Sequence, residues 1–273
     1  MTHTRTHSSA RALQLGAAAW FICATIGQWT FVLFILLFFG GHTVSGDLAG
    51  LNQKAHVTGY VPGDAIGNFQ FIAHALMGGI VTFAGTWQLI PGVRRRWPRL
   101  HRWNGRIFLG ISLVAALTGL SLTWIRGSQL GPGSNLSITL NGVLILVFAT
   151  LAWRTAIHRD FARHRVHALR TFLLVNGVWF LRIGIMLAGL LLAPLGVEIN
   201  YRGMVFVGVS LASWILPLLM LELYLRAERS LRVAPRYAMA VTLGLLALLT
   251  LAGSLAAAAF MWLPALHPAA PSF

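Results

Sequence analysis

Long runs of apolar residues dominate this chain and are separated by short polar connections. The runs cover residues 17–40, 67–90, 106–126, 136–157, 170–193, 204–225 and 237–262. Each is long enough for a membrane-spanning helix, which needs about 20 apolar residues. Lipid offers no partner for free backbone amides, and the runs lack the period of two that a β-barrel requires. The pattern predicts an all-α, polytopic bundle of seven transmembrane helices that forms a single domain over residues 1–273.

The composition leaves few classes of protein open. Hydrophobic residues make up 57% of the chain and charged residues 10%, and the mean hydropathy is +0.73. A water-soluble globular domain is about 45–50% apolar and about 25% charged, so the composition excludes that class. The single cysteine, Cys23, excludes internal disulfides and cysteine-rich metal sites.

Basic residues cluster at one set of predicted helix ends. The net charge is +15, and most of the 21 Lys and Arg side chains lie on the side of the N-terminus, notably in the connections 91–105 and 158–169. Cytoplasmic connections of membrane proteins are enriched in Lys and Arg, so this asymmetry predicts a cytoplasmic N-terminus and, after seven crossings, a periplasmic C-terminus. The same charges predict anionic phospholipid headgroups, and not nucleic acid, as partners.

His74 is an ionisable residue inside the second predicted span. It belongs to a polar and small face of the helix, because residues spaced by three and four lie on one side. The face comprises Gln70, His74, Gly78, Val81, Gly85 and Gln88. Two hypotheses follow: His74 is a haem or metal ligand or a proton-handling group, or it forms a structural hydrogen bond to a neighbouring helix.

Arg182 lies near the middle of the fifth predicted span, where a charge costs about 2.5–3.5 kcal/mol on insertion scales. Glu222 is at a different predicted depth and can pair instead with Arg226, four residues further along its helix. The remaining acceptors are helix carbonyls, Asn141 and Asn176, or the carboxylates of a bound cofactor.

Histidines and arginines share the basic side of the bundle. His164 and His167 are one helical turn apart, a spacing that can hold a metal if His101 or water completes the shell. The alternative is a basic cap that anchors phospholipid headgroups. Together with His164 and Arg170, His101 and Arg106 can line an entrance suited to an anionic headgroup, a quinone or a haem edge.

These pieces resemble a family of bacterial multi-pass membrane proteins called domain of unknown function 2306. The resemblance covers about residues 67–193, four of the seven spans, and leaves 17–40, 204–225 and 237–262 as additional spans. It rests on His74 before a glycine-rich helix, His101-Arg102-x-x-Gly105-Arg106, His164-Arg165-x4-Arg170 and then Arg182.

The resemblance implies a bacterial inner-membrane location but no activity. The candidate cofactor-binding residues that it points to are His74, His101, Arg106, His164, Arg170 and Arg182. The family often has tryptophan where this chain has His167, so a metal site that depends on His167 is not a family property.

Three functions remain open at this point. The first is an accessory or assembly subunit of a larger membrane complex, with other membrane subunits as partners and no chemistry of its own. The second is a redox protein that uses bundle histidines to bind b-type haem or act on a quinone. The third is a protein that binds or transports an anionic lipid or a small anion. No nucleophile–base pair, phosphate loop or paired carboxylates decides whether the protein is an enzyme.

Overall fold

The computed structural model describes residues 2–53, 59–127, 130–197 and 199–266, with side chains described from residue 7 onward. Within these ranges the chain is helical and contains no strand. Seven helical segments in the described ranges are long and apolar enough to cross a membrane: His7–Ser45, Ala65–Leu89, Pro98–Trp124, Pro132–Ile157, Gly177–Leu195, Met204–Arg229 and Val233–Leu266. The predicted number of spans is therefore confirmed. The orientation of the termini stays a prediction.

The first span is longer than the apolar run alone predicts. Helix α1 (Thr2–Ile35) continues through a π-helical turn, Leu36–Gly40, into the short helix α2 (Gly41–Ser45). The remaining helices are α3 (Ala65–Leu89), α4 (Pro91–Arg96), α5 (Pro98–Trp124), α6 (Pro132–Ile157), α7 (Phe161–Val175), α8 (Gly177–Leu192), α9 (Met204–Arg229), α10 (Val233–Ala257) and α11 (Leu263–Leu266).

Local sequence signals explain where several helices begin. Pro91, Pro98 and Pro132 each occupy a first helical position, where the missing backbone N–H costs nothing. Asp64 caps α3 by accepting from the Gly67 amide at 2.8 Å, and Asp160 caps α7 by accepting from the Arg163 amide at 3.1 Å. Each cap satisfies an amide that has no partner within the helix.

The connections on the basic side differ from the prediction. Residues 91–105 contain α4 and the first turns of α5, and residues 158–169 contain most of α7. The predicted span over 170–193 is therefore two helices, α7 and α8, which meet at the buried Asn176. Asn141 of α6 donates from Nδ2 to the Leu174 carbonyl at 3.2 Å, next to this break. The Leu174 carbonyl thereby gains a hydrogen-bond donor, which lipid cannot provide.

Large aromatic side chains fill the space between α1, α8 and the end of the last span. Phe31, Phe34 and Phe38 of the first span pack with Trp179 and Trp262 in one buried cluster. The Phe31 and Trp262 rings lie 5.3 Å apart between centroids. Elsewhere α1 packs along α10, and α3 packs along α5.

Candidate functional site

His74 faces α5. Its Nδ1 lies 3.0 Å from the hydroxyl oxygen of Thr118, and its ring packs against Gly119. The Thr118 hydroxyl also lies within hydrogen-bond distance of the Val114 and Ala115 carbonyls. If its single proton goes to one of them, Nδ1–H of His74 donates to Thr118, and the lone pair of the neutral ring is on Nε2. This is the interhelical hydrogen bond that the second hypothesis for His74 predicts.

The same face of α3 makes three further polar contacts with α5. Gln70 donates to the Thr118 carbonyl at 3.3 Å, and Gln88 donates to the His101 carbonyl at 3.0 Å. From the other side, Asn104 donates to the Ala84 carbonyl at 2.8 Å. The predicted polar face of α3 therefore joins two helices along much of their length.

A haem at His74 needs an iron ligand on Nε2 and, in a bis-histidine site, a second imidazole. In the described part of the chain no other histidine contacts His74. On the same side of the bundle, His42 contacts Asp47 at 3.0 Å and packs edge-on against Phe38. His56, the other loop histidine, lies outside the described residues. The described residues therefore offer no second histidine ligand for a haem iron at His74. The haem hypothesis stays a prediction.

Arg182 lies on α8 and contacts α1. Its Nη1 donates to the Val178 carbonyl of its own helix at 2.9 Å, and its guanidinium carbon lies 4.9 Å from the centroid of the Phe31 ring. The acceptor is thus one of the helix carbonyls among the predicted alternatives. His74 and Arg182 share no contact partner in the described residues, so the structure does not bring them into one site.

Glu222 binds Arg170 of α7 and neither Arg182 nor Arg226. Nε of Arg170 donates to the Glu222 carboxylate at 2.8 Å. The neighbouring pair is bidentate, with Arg165 donating to both carboxylate oxygens of Glu228 at 2.8 and 3.0 Å. Hydrogen bonding to Glu228 raises the pKa of Arg165 above its ordinary value. The two ion pairs attach α7 to α9.

The three histidines of the predicted metal site lie near one another on the basic side, but their rings make different contacts. Nδ1 of His164 donates to the Ala152 carbonyl at 2.9 Å, and the ring of His167 stacks on Phe148 at 6.0 Å. His101 is within electrostatic reach of His164. In the ranges described, no three His, Cys, Asp or Glu side chains are arranged to hold a metal ion. The structure therefore does not assemble the His101–His164–His167 site.

Burial lowers the pKa of His167, and the nearby positive charges of Arg170 and Arg163 and the ring of His164 lower it further, against a smaller opposing effect of Asp160. His167 is therefore biased toward its neutral form. A neutral ring suits the stack on Phe148, whose face also carries the Arg170 guanidinium at 5.1 Å.

Arg106 does not join the histidines. Its side chain is exposed, and its guanidinium carbon lies 5.0 Å from the ring centroid of the exposed Trp103. Beside this pair, an open groove of about 660 Å³ lies where α3, α4 and α5 meet. The groove is lined by Trp87, Arg96, Trp97, Pro98, Arg99 and Leu100. We call it the basic groove.

The sequence analysis missed a polar cluster at the opposite end of α3 and α5. Arg126 donates from Nε to Asp64 at 3.1 Å and from Nη2 to Asn68 at 2.6 Å. The side chain of Arg126 is only 9% exposed. The sequence did carry a signal for this pairing: an aspartate starts one span and an arginine ends the next. Neighbouring antiparallel spans place these two positions side by side.

Residues 71–225 match the family described as predicted membrane protein (DUF2306). The chain belongs to this family. The match begins close to the start of the range 67–193 that the sequence resemblance suggested, and it extends beyond that range into α9. No curated protein and no solved structure matches the chain. The family and the multi-pass membrane architecture are therefore established, and the function is not.

Proposed function

We propose that this DUF2306 protein binds an anionic phospholipid in the basic groove. The observation that carries the proposal is a charge imbalance at this corner of the bundle. Arg96 and Arg99 line the groove. Four further arginines lie on the same two helices, α4 and α5: Arg94, Arg95, Arg102 and Arg106. No described carboxylate forms an ion pair with any of the six.

The second basic segment, α7, provides the contrast. There Arg163, Arg165 and Arg170 each contact a carboxylate. Arg165 and Arg170 therefore join α7 to α9, whereas the arginines of α4 and α5 leave their positive charge free for an external anion. Mutual repulsion among six such arginines is relieved when an anion binds.

The walls of the groove favour a lipid over a free anion. Trp97 and Leu100 are 52% and 46% exposed, and tryptophan side chains concentrate at the level of lipid headgroups. The Arg96 guanidinium lies 5.9 Å from the Trp97 ring centroid. A group that can bind phosphate therefore lies beside an apolar surface. Arginine matches phosphate oxygens with two parallel hydrogen bonds, and apolar walls suit the glycerol and upper acyl carbons.

Native mass spectrometry of the detergent-purified protein tests the proposal, with phosphatidylglycerol and the neutral phosphatidylcholine as probes. We expect Arg96→Gln/Arg99→Gln to weaken phosphatidylglycerol binding at least about tenfold, since each basic residue near an anionic membrane surface contributes about 1 kcal/mol. Binding of phosphatidylcholine should change little.

The matched control is Arg229→Gln/Arg232→Gln, which removes two exposed charges from the same side of the bundle but outside the groove. Equal loss in both double variants would show attraction by net charge and would contradict a specific groove. Equal binding of the two lipids by the unmodified protein would also contradict the proposal.

A second candidate function, an accessory or assembly subunit, is favoured by one face of α9. A Cβ atom at Gly208 would meet nothing within 4 Å, and Ala212 follows one turn later. Exposed apolar side chains continue this face at Ile215, Leu216 and Leu219. Small residues let helices approach closely in membranes. Purification from native membranes by a tag on this chain tests this function, because it requires a second protein in constant ratio.

A further inference from the structure

Arg182 is a charged residue within a spanning helix, and it takes no part in the basic groove. Val178 supplies one carbonyl acceptor, and Phe31 supplies the face of an aromatic ring. In the described chain no carboxylate contacts this guanidinium, and its other N–H groups have no protein acceptor. A cation inside a bilayer requires a compensating acceptor. Arginine has five N–H donors, and one neutral carbonyl and one aromatic face satisfy few of them.

Two other polar side chains flank the same stretch of α1. Gln28 is fully buried, yet neither atom of its amide has a hydrogen-bond partner in the described residues. Trp179 is likewise fully buried, and its indole Nε1 has no partner there. Each is a donor that a spanning segment should not leave unpaired.

All three residues lie at or against residues 27–31 of α1. A Cβ atom at Gly27 would lie 2.9 Å from Cζ2 of Trp179, so the indole lies directly against this glycine. Gln28 follows Gly27, and the ring of Phe31, one turn further, carries the Arg182 guanidinium. On α8, Trp179 and Arg182 are three residues apart and so share a face.

We infer that Arg182, Gln28 and Trp179 form an intramembrane site for the carboxylate of a membrane-soluble acid, such as a long-chain fatty acid. A carboxylate supplies the missing negative charge, and its two oxygens match the fork of one arginine. The amide and indole N–H groups are further donors for the same oxygens. The acyl chain of such a ligand would remain in the hydrocarbon, where the exposed apolar faces of the bundle already lie.

The inference is independent of the basic groove, because the two sites share no residue. It also selects a different ligand. A diacyl phospholipid keeps its phosphate at the interface, whereas a single-chain acid carries only a small carboxylate to the level of Arg182.

Binding of radiolabelled palmitate to the full-length protein in phosphatidylcholine nanodiscs tests the inference, with unlabelled palmitate and hexadecanol as competitors. We expect palmitate to compete and hexadecanol, which has the same chain but no carboxylate, to compete at least about tenfold less well. Arg182→Gln should weaken palmitate binding at least about tenfold.

The matched control is Arg106→Gln, which also removes an arginine from an aromatic ring but lies outside the site; it should leave palmitate affinity within about twofold. If Arg182→Gln does not fold, Gln28→Leu provides the second variant, since it retains the arginine and removes the amide. We expect it to weaken binding about three- to tenfold.

Equal competition by hexadecanol, or unchanged palmitate binding in the folded variants, would overturn the inference. Phosphatidylglycerol binding is measured on the same samples. Arg182→Gln should leave it unchanged, and the Arg96→Gln/Arg99→Gln variant should leave palmitate binding unchanged. A failure of one site is therefore distinguishable from a failure of the other.

Discussion

His167 shows how one residue position can serve packing in place of metal chemistry. Its ring stacks on Phe148 with an interplanar angle of 23°, and the Arg170 guanidinium contacts the same phenyl ring. The larger ring of a tryptophan could make the same stack at this position.

The lowered pKa of His167 predicts a pH-dependent stability. In the unfolded chain the imidazole takes up a proton near its ordinary pKa of 6.5, while burial and the arginines oppose protonation in the folded protein. The unfolded state therefore binds more protons as the pH falls below about 6.5, and folding stability decreases until the folded pKa is reached. We expect the melting temperature in detergent to be lower at pH 5.5 than at pH 7.5.

The variant His167→Phe keeps an aromatic stack and removes the titrating group, so its melting temperature should fall less over the same pH interval. The control is His158→Phe, which changes an exposed histidine at the end of α6. The same pH-dependent loss of stability in the unmodified protein and in His167→Phe would contradict this account.

At the scale of elements, α7 is the helix whose position depends most on side-chain pairing. Two ion pairs attach it to α9, through Arg165–Glu228 and Arg170–Glu222. Its end at Asn176 is supported by Asn141, which binds the Leu174 carbonyl and lies close to Gly177. The helix break is stable because a side chain from α6 replaces a backbone partner.

Removing that side chain tests its role. We expect Asn141→Ala to destabilise the protein by about 1–3 kcal/mol, because a buried carbonyl loses its hydrogen bond in a region without water. Thr150→Ala, on the exposed face of the same helix, should have an effect within about 0.5 kcal/mol. Chemical unfolding in mixed micelles measures both. Equal stabilities of the two variants would show that the break does not depend on Asn141.

At the scale of the whole molecule, the property to test is the direction in which the seven spans cross the bilayer. The excess of arginine on one side predicts that α4 and the N-terminus are cytoplasmic. Given the bacterial inner-membrane location that the family resemblance implies, a membrane-impermeant maleimide should label Ser45→Cys, in a Cys23→Ala background, once the outer membrane has been made permeable. It should label Arg95→Cys only after the inner membrane is disrupted.

Both test positions are exposed and lie on opposite sides of the bundle. Labelling of Arg95→Cys before disruption of the inner membrane would reverse the orientation. It would also place the basic groove in the other leaflet. The α3–α5 contacts and the Arg182 site would be unaffected, because neither depends on the direction of crossing.

The sequence by itself determined the number of spans, the helical class and the family. Lipid forces each span to satisfy its own backbone, so length and apolarity within one local run are sufficient to predict it. It also identified His74 and Arg182 as polar groups in unusual surroundings.

Only the tertiary structure decided the partners of these groups. Glu222 could be paired locally with Arg226, yet it binds Arg170, 52 positions away in the chain. Arg126 and Asp64 are 62 positions apart and meet because α3 and α5 run side by side. Pairing depends on how helices cross and which faces they present, and a one-dimensional pattern carries little of that information. The packing of Trp179 against Gly27 and of Arg182 against Phe31 has the same origin.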